Sequence, residues 1–280
     1  MAILRLSTAD VHHRVEGTGF PIVFLHGAGG SSLSWFQQIP CFSESFACAT
    51  LDQPGFGGSR WRADVHEFTD ALEEYVRRMG WERVALVAHS LGGWTALRFT
   101  LRNPARTAAL VLSSTWAGVQ APEILRELEA RESRLAAARA AWQRREPGSF
   151  LPGCGARMAR EQPDLHWLAA SIASLNGDAV QAVWRRDANG DYDPVLNPKT
   201  DPAELSGWSV PTLCLTGDED FMVPSSAVEV VARLLGGAEV ITIPQTGHSI
   251  HLERPEEFNG LVRTFLARHV GIPSSARSSA

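Results

Sequence analysis

No stretch of the 280-residue chain approaches the ~18 consecutive apolar residues that a membrane-crossing helix requires, so no span is expected. Positive charge is in deficit: 26 Lys and Arg stand against 31 Asp and Glu, a net −5. Without a basic stripe, nucleic acid and anionic membrane are poor partners. Cysteine is scarce, and Cys41, Cys48, Cys154 and Cys214 fall at scattered positions with no Cys-x-x-Cys pair. Cys214 lies inside an apolar run, where a reduced thiol packs like a small hydrophobe. A reducing compartment is implied, and the chain is expected in the cytoplasm. The first residues, MAILRLSTADVHHRVEG, lack a basic start followed by an apolar core, so no secretory signal is expected. No Gly-rich phosphate loop with a partnering lysine or acid follows the first buried strand. His248-x-x-His251, with Glu253 nearby, could suggest a metal, but nothing supplies a further ligand at diagnostic spacing. Neither a nucleotide cofactor nor a metal is expected. No internal repeat is visible.

What the chain does have is apolar residues, 44% of the total, in a pattern that alternates. Ile3 to Ser7 and Val11 to Glu16 read as short strands. Pro21 to Leu25, Phe46 to Leu51, Arg83 to Ala88, Ala108 to Leu112, Val210 to Leu215 and Glu239 to Ile243 are short runs rich in β-branched residues. Such runs suit strands buried on both faces, as in a parallel sheet. Between them lie helical periods: Asp64 to Met79, with Asp64 as N-cap and Gly80 as stop, Leu91 to Leu101, Ser225 to Leu235 and Glu256 to His269. Strand–helix alternation predicts a doubly wound, mostly parallel α/β sheet.

One segment departs from this alternation. From Trp116 to Ser209 no strand-like run occurs, only helical stretches at Pro122 to Arg145, Asp164 to Leu175 and Asp178 to Arg186. Five of the nine tryptophans fall here, at 116, 142, 167, 184 and 208. The division that follows is a core of 1–115 and 210–272, a helical cap of 116–209 between two sheet strands, and a frayed tail of 273–280.

Ala88-His89-Ser90-Leu91-Gly92 follows a buried strand and opens a helix. A serine on that tight turn stands exposed above the sheet, and side chains two positions either side would collide across it. Gly92 meets this demand, and Ala88 adds a single methyl group where glycine is usual. Serine needs a base to act as a nucleophile. Of the nine histidines, His248 lies in a loop after the last predicted strand, at the sheet edge where ligand and catalytic groups collect. His12, His13, His66 and His269 fall on a peripheral strand and on helices. Gly217-Asp218-Glu219-Asp220 lies past another strand and offers three acids to orient the base. The chain order Ser, acid, His is that of the α/β-hydrolases.

Four ordered motifs resemble that superfamily over nearly the whole chain outside the cap. His26-Gly-Ala-Gly-Gly30, with Trp35 downstream, resembles its His-Gly oxyanion loop. Asp52-Gln-Pro-Gly-Phe-Gly-Gly-Ser59 resembles its structural Asp-x-x-Gly-x-Gly-x-Ser turn. Gly217 to Asp220 with Pro224 resembles its Gly-x-x-Asp…Pro segment, and Gly247-His248 with Glu253 and Pro255 the segment that holds its histidine. The resemblance implies Ser90 as nucleophile, His248 as general base and acid, and Asp220, rather than Asp218, as the orienting carboxylate. It also implies an oxyanion hole made by the backbone N–H groups of Ala28 and Leu91. His26 and His89 flank these elements and are expected to pack nearby without catalytic roles. An aspartate nucleophile, as in haloalkane dehalogenases and epoxide hydrolases of this fold, is excluded by Ser90.

The resemblance points to a small-molecule substrate and leaves the oligomeric state open. Small-molecule esterases, enol-lactonases and carbon–carbon bond hydrolases of ring-fission products are the nearest branches. The last often carry an aromatic residue after the histidine, where this chain has Ser249, which favours ester or lactone hydrolysis. Carbon–carbon cleavage also needs polar groups for a dienoate, for which Arg157, Arg160, Arg185 and Arg186 are the available candidates. The cap tryptophans either form an apolar pocket or seal cap against core. A slow-turnover ligand receptor on the same scaffold is the non-enzyme alternative, and turnover of simple esters would discriminate.

Overall fold

Apolar residues on neighbouring positions of the central strands face opposite ways, and that alternation builds two cores. In the computed structural model, which describes residues 2–62, 67–183 and 199–270, Ile22 and Phe24 enter one core while Val23 and Leu25 enter the other. Ala85 and Val87 part from Leu86 and Ala88 in the same way. Strands buried on both faces therefore read as unbroken apolar runs.

The strands are β1 (Ala2–Arg5), β2 (Ala9–Glu16), β3 (Phe20–Leu25), β4 (Phe46–Leu51), β5 (Arg60–Trp61), β6 (Val84–His89), β7 (Thr107–Ser113), β8 (Thr212–Gly217) and β9 (Glu239–Ile243). They form one sheet in the order β1-β2-β4-β3-β6-β7-β8-β9, with β5 paired to β2. Pairing from β4 through β9 is parallel, whereas β1, β2 and β5 add antiparallel pairs at one side. The helices are α1 (Ile39–Phe42), α2 (Phe68–Arg78), α3 (Leu91–Arg102), α4 (Pro122–Gln143), α5 (Ala156–Glu161), α6 (Pro163–Ser174), α7 (Gly177–Val183), α8 (Ser225–Leu234), α9 (Ile250–Glu253) and α10 (Pro255–His269). α2, α3 and α8 fill the core on one face, and α1 and α10 that on the other.

Several boundaries differ from expectation. α2 begins at Phe68 with Glu67 at its N-cap, so Asp64 does not cap it, and Asp64 itself lies outside the described residues. Gly80 does end that helix, with φ +71° in the left-handed region that glycine adopts without penalty. Three short helices were not expected: α1 and α9 have four residues each, and α5 has six, too few for a period to show. Between β7 and β8 the chain carries α4, α5, α6 and α7. The one extended pairing among the described residues there is a parallel bridge between Val119 and Thr200. The expected helix at Asp178 to Arg186 is described only to Val183, and the 273–280 tail lies outside the described residues.

Because β3, β6, β8 and β9 run parallel, the segments leaving their C-terminal ends share one edge of the sheet. His26–Gly30, Ser90, Asp220 and His248 all leave from that edge.

Candidate active site

Ser90 sits where β6 must turn into α3 without a loop. Its backbone takes φ +50° and ψ −116°, a conformation costing an L-residue about 1–3 kcal/mol. The strain is held by the sheet: Ser90 N–H donates to the Ser113 carbonyl at 2.9 Å, and Gly93 N–H returns to the Ser90 carbonyl at 3.0 Å. A Cβ on Gly92 would stand 2.3 Å from the Leu25 carbonyl oxygen, so only glycine fits there. Ala88, by contrast, is fully buried in β6, and its methyl group packs within the core of the α3 face.

The acid and base meet. Asp220 Oδ2 lies 2.9 Å from His248 Nδ1, with both side chains withdrawn from solvent. The other carboxylate oxygen accepts the Met222 and Val223 amides at 2.8 and 2.9 Å, which fixes the plane of the group. Asp218 is exposed instead and accepts only the Thr246 amide, at 3.3 Å. Glu219 pairs with Arg157. A histidine held through Nδ1 by a carboxylate presents Nε2 as a proton acceptor, the geometry a serine base requires.

Three further imidazoles lie near this pair, and burial lowers the pKa of each. His26 donates Nδ1–H to the Gly27 carbonyl at 2.7 Å and accepts the Gln53 amide on Nε2 at 2.9 Å, so both nitrogens are committed. Burial lowers its pKa. His89 donates Nε2–H to the His248 carbonyl at 3.0 Å. Burial first, then the neighbouring His251 and His248, push its pKa well below the ordinary value. His251, with its ring 4.6 Å from those of both His89 and Trp35, is pushed down to about 3 by burial and then by His248. Of this cluster only His248 carries a carboxylate on its ring.

The Gly27–Gly30 loop closes on the serine. Gly30 N–H bonds the Gly27 carbonyl at 2.9 Å, forming a tight turn around Ala28. A Cβ on Gly27 would lie 2.8 Å from His89 Nδ1 and 3.0 Å from Ser90 Cβ. Leu91 opens α3, so its N–H is one of the amides a helix leaves without an internal partner. Ala28 shares one buried cluster with Leu91, which follows Ser90 in the chain. Asp52 is the anchor of its turn: it accepts the Ser32 and Gly58 amides at 2.6 and 2.8 Å and faces His12 Nδ1 at 3.0 Å.

Two residues hold this geometry in ways the sequence does not announce: Asn176 carries no signal, and Glu253 is marked by its motif without its role. Asn176, buried in the turn between α6 and α7, donates to the Gly30 and Ile172 carbonyls at 3.0 Å each and accepts the Gly57 amide at 2.7 Å. The sequence Asn176-Gly177 reads only as a break between helices. Glu253, also buried, accepts the amides of Gly247, Ser249 and Gly155 at 2.8, 3.1 and 3.2 Å. Its carboxyl is pushed up by burial, against the pull of those donors. It therefore binds the histidine loop to the segment before α5. Ser249 Oγ donates to the Gly153 carbonyl across the same seam.

Ser90 lines an open cavity of about 940 Å3 to which α4, α6 and α7 contribute walls. The tryptophans divide between the two expected roles. Trp142 and Trp167 line this cavity, whereas Trp116 packs against Trp94 at 5.2 Å and Trp208 donates to the Val210 carbonyl at 2.9 Å. Trp184 lies outside the described residues, as do Arg185 and Arg186. Arg157 and Arg160 do not line the cavity, and both pair with Glu161 at the surface.

Comparison with known proteins agrees with this architecture. The thermophilic esterase of Thermogutta terrifontis superposes with a TM-score of 0.73 at 26% identity, over 96% of this chain and 100% of its own. A pimeloyl-[acyl-carrier protein] methyl ester esterase from Nitrosomonas europaea is 26% identical over 89% of this chain and 97% of its own. A protein named for carbamate hydrolysis from Klebsiella pneumoniae is 24% identical over 92% and 96%. Residues 21–255 match the family model described as the alpha/beta hydrolase fold. The chain belongs to the α/β-hydrolase family.

Proposed function

We propose that this protein is a serine hydrolase that cleaves a small carboxylic ester or lactone through an acyl-enzyme on Ser90. The observation that carries this reading is the junction of three elements at one sheet edge. A strained serine on the β6–α3 turn, a histidine held by a buried carboxylate, and a glycine turn pressed against that serine all face one cavity. His248 takes the Ser90 proton as the serine oxygen attacks the carbonyl. The developing oxyanion is held by the Ala28 and Leu91 amides, and the leaving alcohol collects the proton from His248. Water then enters by the same route and releases the acid. Relatives named as a methyl ester esterase and a carbamate hydrolase support acyl transfer to water as the shared chemistry. The inserted helices act as a cap whose lining is largely apolar, which supports an apolar body for the substrate. Four free thiols support a reducing compartment, and we place the protein in the cytoplasm.

A fluorophosphonate probe is expected to label Ser90, with aryl-ester turnover alongside. Ser90→Ala should abolish labelling and lower kcat by about 10³-fold or more, leaving the residual contribution of the oxyanion hole. Labelling that survives in the variant would remove Ser90 from the mechanism. Labelling without turnover of any ester or lactone would favour a ligand receptor.

A further inference from the structure

One part of the cavity lining is chemically unlike the rest of it. Where α4 ends, Arg139, Trp142, Gln143 and Arg145 all line the space. Positions 139 and 143 are one helical turn apart and share a face. No Asp or Glu occurs in the described lining, although acids outnumber bases in the chain, 31 to 26. Arg144 is paired with Glu146, and Arg134 lies 5.5 Å over the Phe221 ring, but no carboxylate among the described residues engages Arg139 or Arg145.

The backbone at this point is also unusual. Arg145 has φ +55°, in the left-handed region where a helix normally ends on glycine. Its N–H bonds the Trp142 carbonyl at 3.0 Å, and Glu146 N–H bonds that of Ala141 at 3.1 Å. A long cationic side chain therefore occupies a position whose backbone disfavours any side chain. Gln143 and Arg145 are exposed and Arg139 is half-buried, while Trp142 between them is anchored. Trp142 stands edge-on to His166 at 5.5 Å, and His166 Nε2 accepts the Leu151 amide at 3.0 Å. Two residues on, Gly153 is tied to Ser249 beside the catalytic histidine. One continuous surface thus joins the reacting end of the cavity, through Leu151 and Trp142, to the two arginines.

We infer that Arg139, Gln143 and Arg145 form a subsite for a carboxylate at the end of the substrate remote from the bond that breaks. The inference rests on the serine-hydrolase reading and specifies its substrate class: an ester or lactone with an apolar body and an anionic end, such as the half-ester of a dicarboxylic acid. Two guanidinium groups at the rim of a largely apolar cavity, without an internal counter-ion, are completed by an oxyanion that both forks can grip.

The test is a pair of p-nitrophenyl esters of equal chain length, the hexanoate and the mono-ester of adipate. At low ionic strength the adipate mono-ester is expected to have a kcat/KM at least about 10-fold higher, carried in KM, and to lose that advantage as salt is raised. Adipate itself should inhibit hexanoate hydrolysis competitively. In the double variant Arg139→Gln/Arg145→Gln the ratio of the two kcat/KM values should fall to about one and adipate inhibition should disappear. Arg139→Lys, which keeps the charge without the fork, should retain part of the ratio. A wild-type ratio of one or less would overturn the inference. So would a ratio unmoved in the double variant while Tm falls, since the arginines would then serve only the C-terminal end of α4. Hexanoate turnover and fluorophosphonate labelling separate the two levels: their absence refutes the hydrolase reading, whereas their presence without anionic preference refutes only the subsite.

Discussion

Asn176→Leu removes a side chain that bonds two loops of the site while occupying a similar volume. The Gly30 carbonyl and the Gly57 amide lose their partner, along with the Ile172 carbonyl of α6. Gly57 lies at the surface and can be rehydrated, whereas Gly30 is buried. A buried polar group left unpaired costs about 1–3 kcal/mol, so a total destabilisation of about 2–3 kcal/mol is expected. That corresponds to a fall in Tm of roughly 3–5 °C for a chain of this size. The sharper expectation is kinetic. Gly30 closes the turn that presents Ala28, and deletion of one oxyanion donor costs about 10²–10³ in kcat. A donor displaced rather than deleted is expected to cost about 10–100-fold, with KM changed less than about 3-fold because the ground-state carbonyl makes little use of it. Asn176→Asp keeps the acceptor for Gly57 but has no donor for Gly30, and should share the kcat loss. The assay is kcat and KM on an aryl ester, with the rate of fluorophosphonate labelling measured in parallel. If Tm falls while kcat and labelling stay within about 2-fold of wild type, Asn176 supports the fold alone and the coupling to the oxyanion turn is wrong.

Asp220→Asn is expected to lower kcat by about 10³–10⁴-fold and Asp218→Asn by no more than a few-fold, measured on the same ester; equal losses would refute the choice of Asp220. His251 has a folded-state pKa depressed from 6.5 to about 3, so the unfolded chain binds the extra proton and stability is lost as pH falls below about 6.5. His251→Gln should flatten that slope by up to about 1.4 kcal/mol per pH unit, read from urea midpoints at pH 7 and pH 5. Ester hydrolysis should survive EDTA without added metal or nucleotide; reversible loss on chelation, restored by a divalent ion, would refute this.

The parallel strands were legible because burial on both faces leaves each as an unbroken apolar run, and the segments after them could be placed at one edge on connectivity alone. Ser90, Asp220 and His248 could be placed at that edge because each follows the end of a parallel strand by no more than five residues. The inserted helices were far less transparent. Their periodicity marks them as helices, but the four described tryptophans serve different ends, with Trp142 and Trp167 on the cavity and Trp116 and Trp208 in the packing. Nothing in the sequence separates Arg139, which lines the cavity, from Arg157, which pairs with Glu219 on the surface. Asn176, and the bridging role of Glu253, escaped for a related reason. Their partners are backbone atoms up to 146 residues away in the chain, and backbone atoms leave no mark in a sequence.

The contact between Gly155 and Gly247 limits how freely the roof of this enzyme can be exchanged. A Cβ on Gly247 would stand 2.5 Å from the Gly155 α-carbon, and one on Gly155 2.8 Å from Glu253 Oε2, so the seam admits no side chain from either strip. A chimaera that grafts the helices of a relative onto this sheet would need a glycine at the graft's matching position, however well its pocket suited a new substrate. Without one, the graft would press on the loop that carries His248, and the transplant would lose turnover before its specificity could be judged. Libraries meant to redirect this scaffold should hold those two glycines and Glu253 fixed, and vary the wall along α4 and α6.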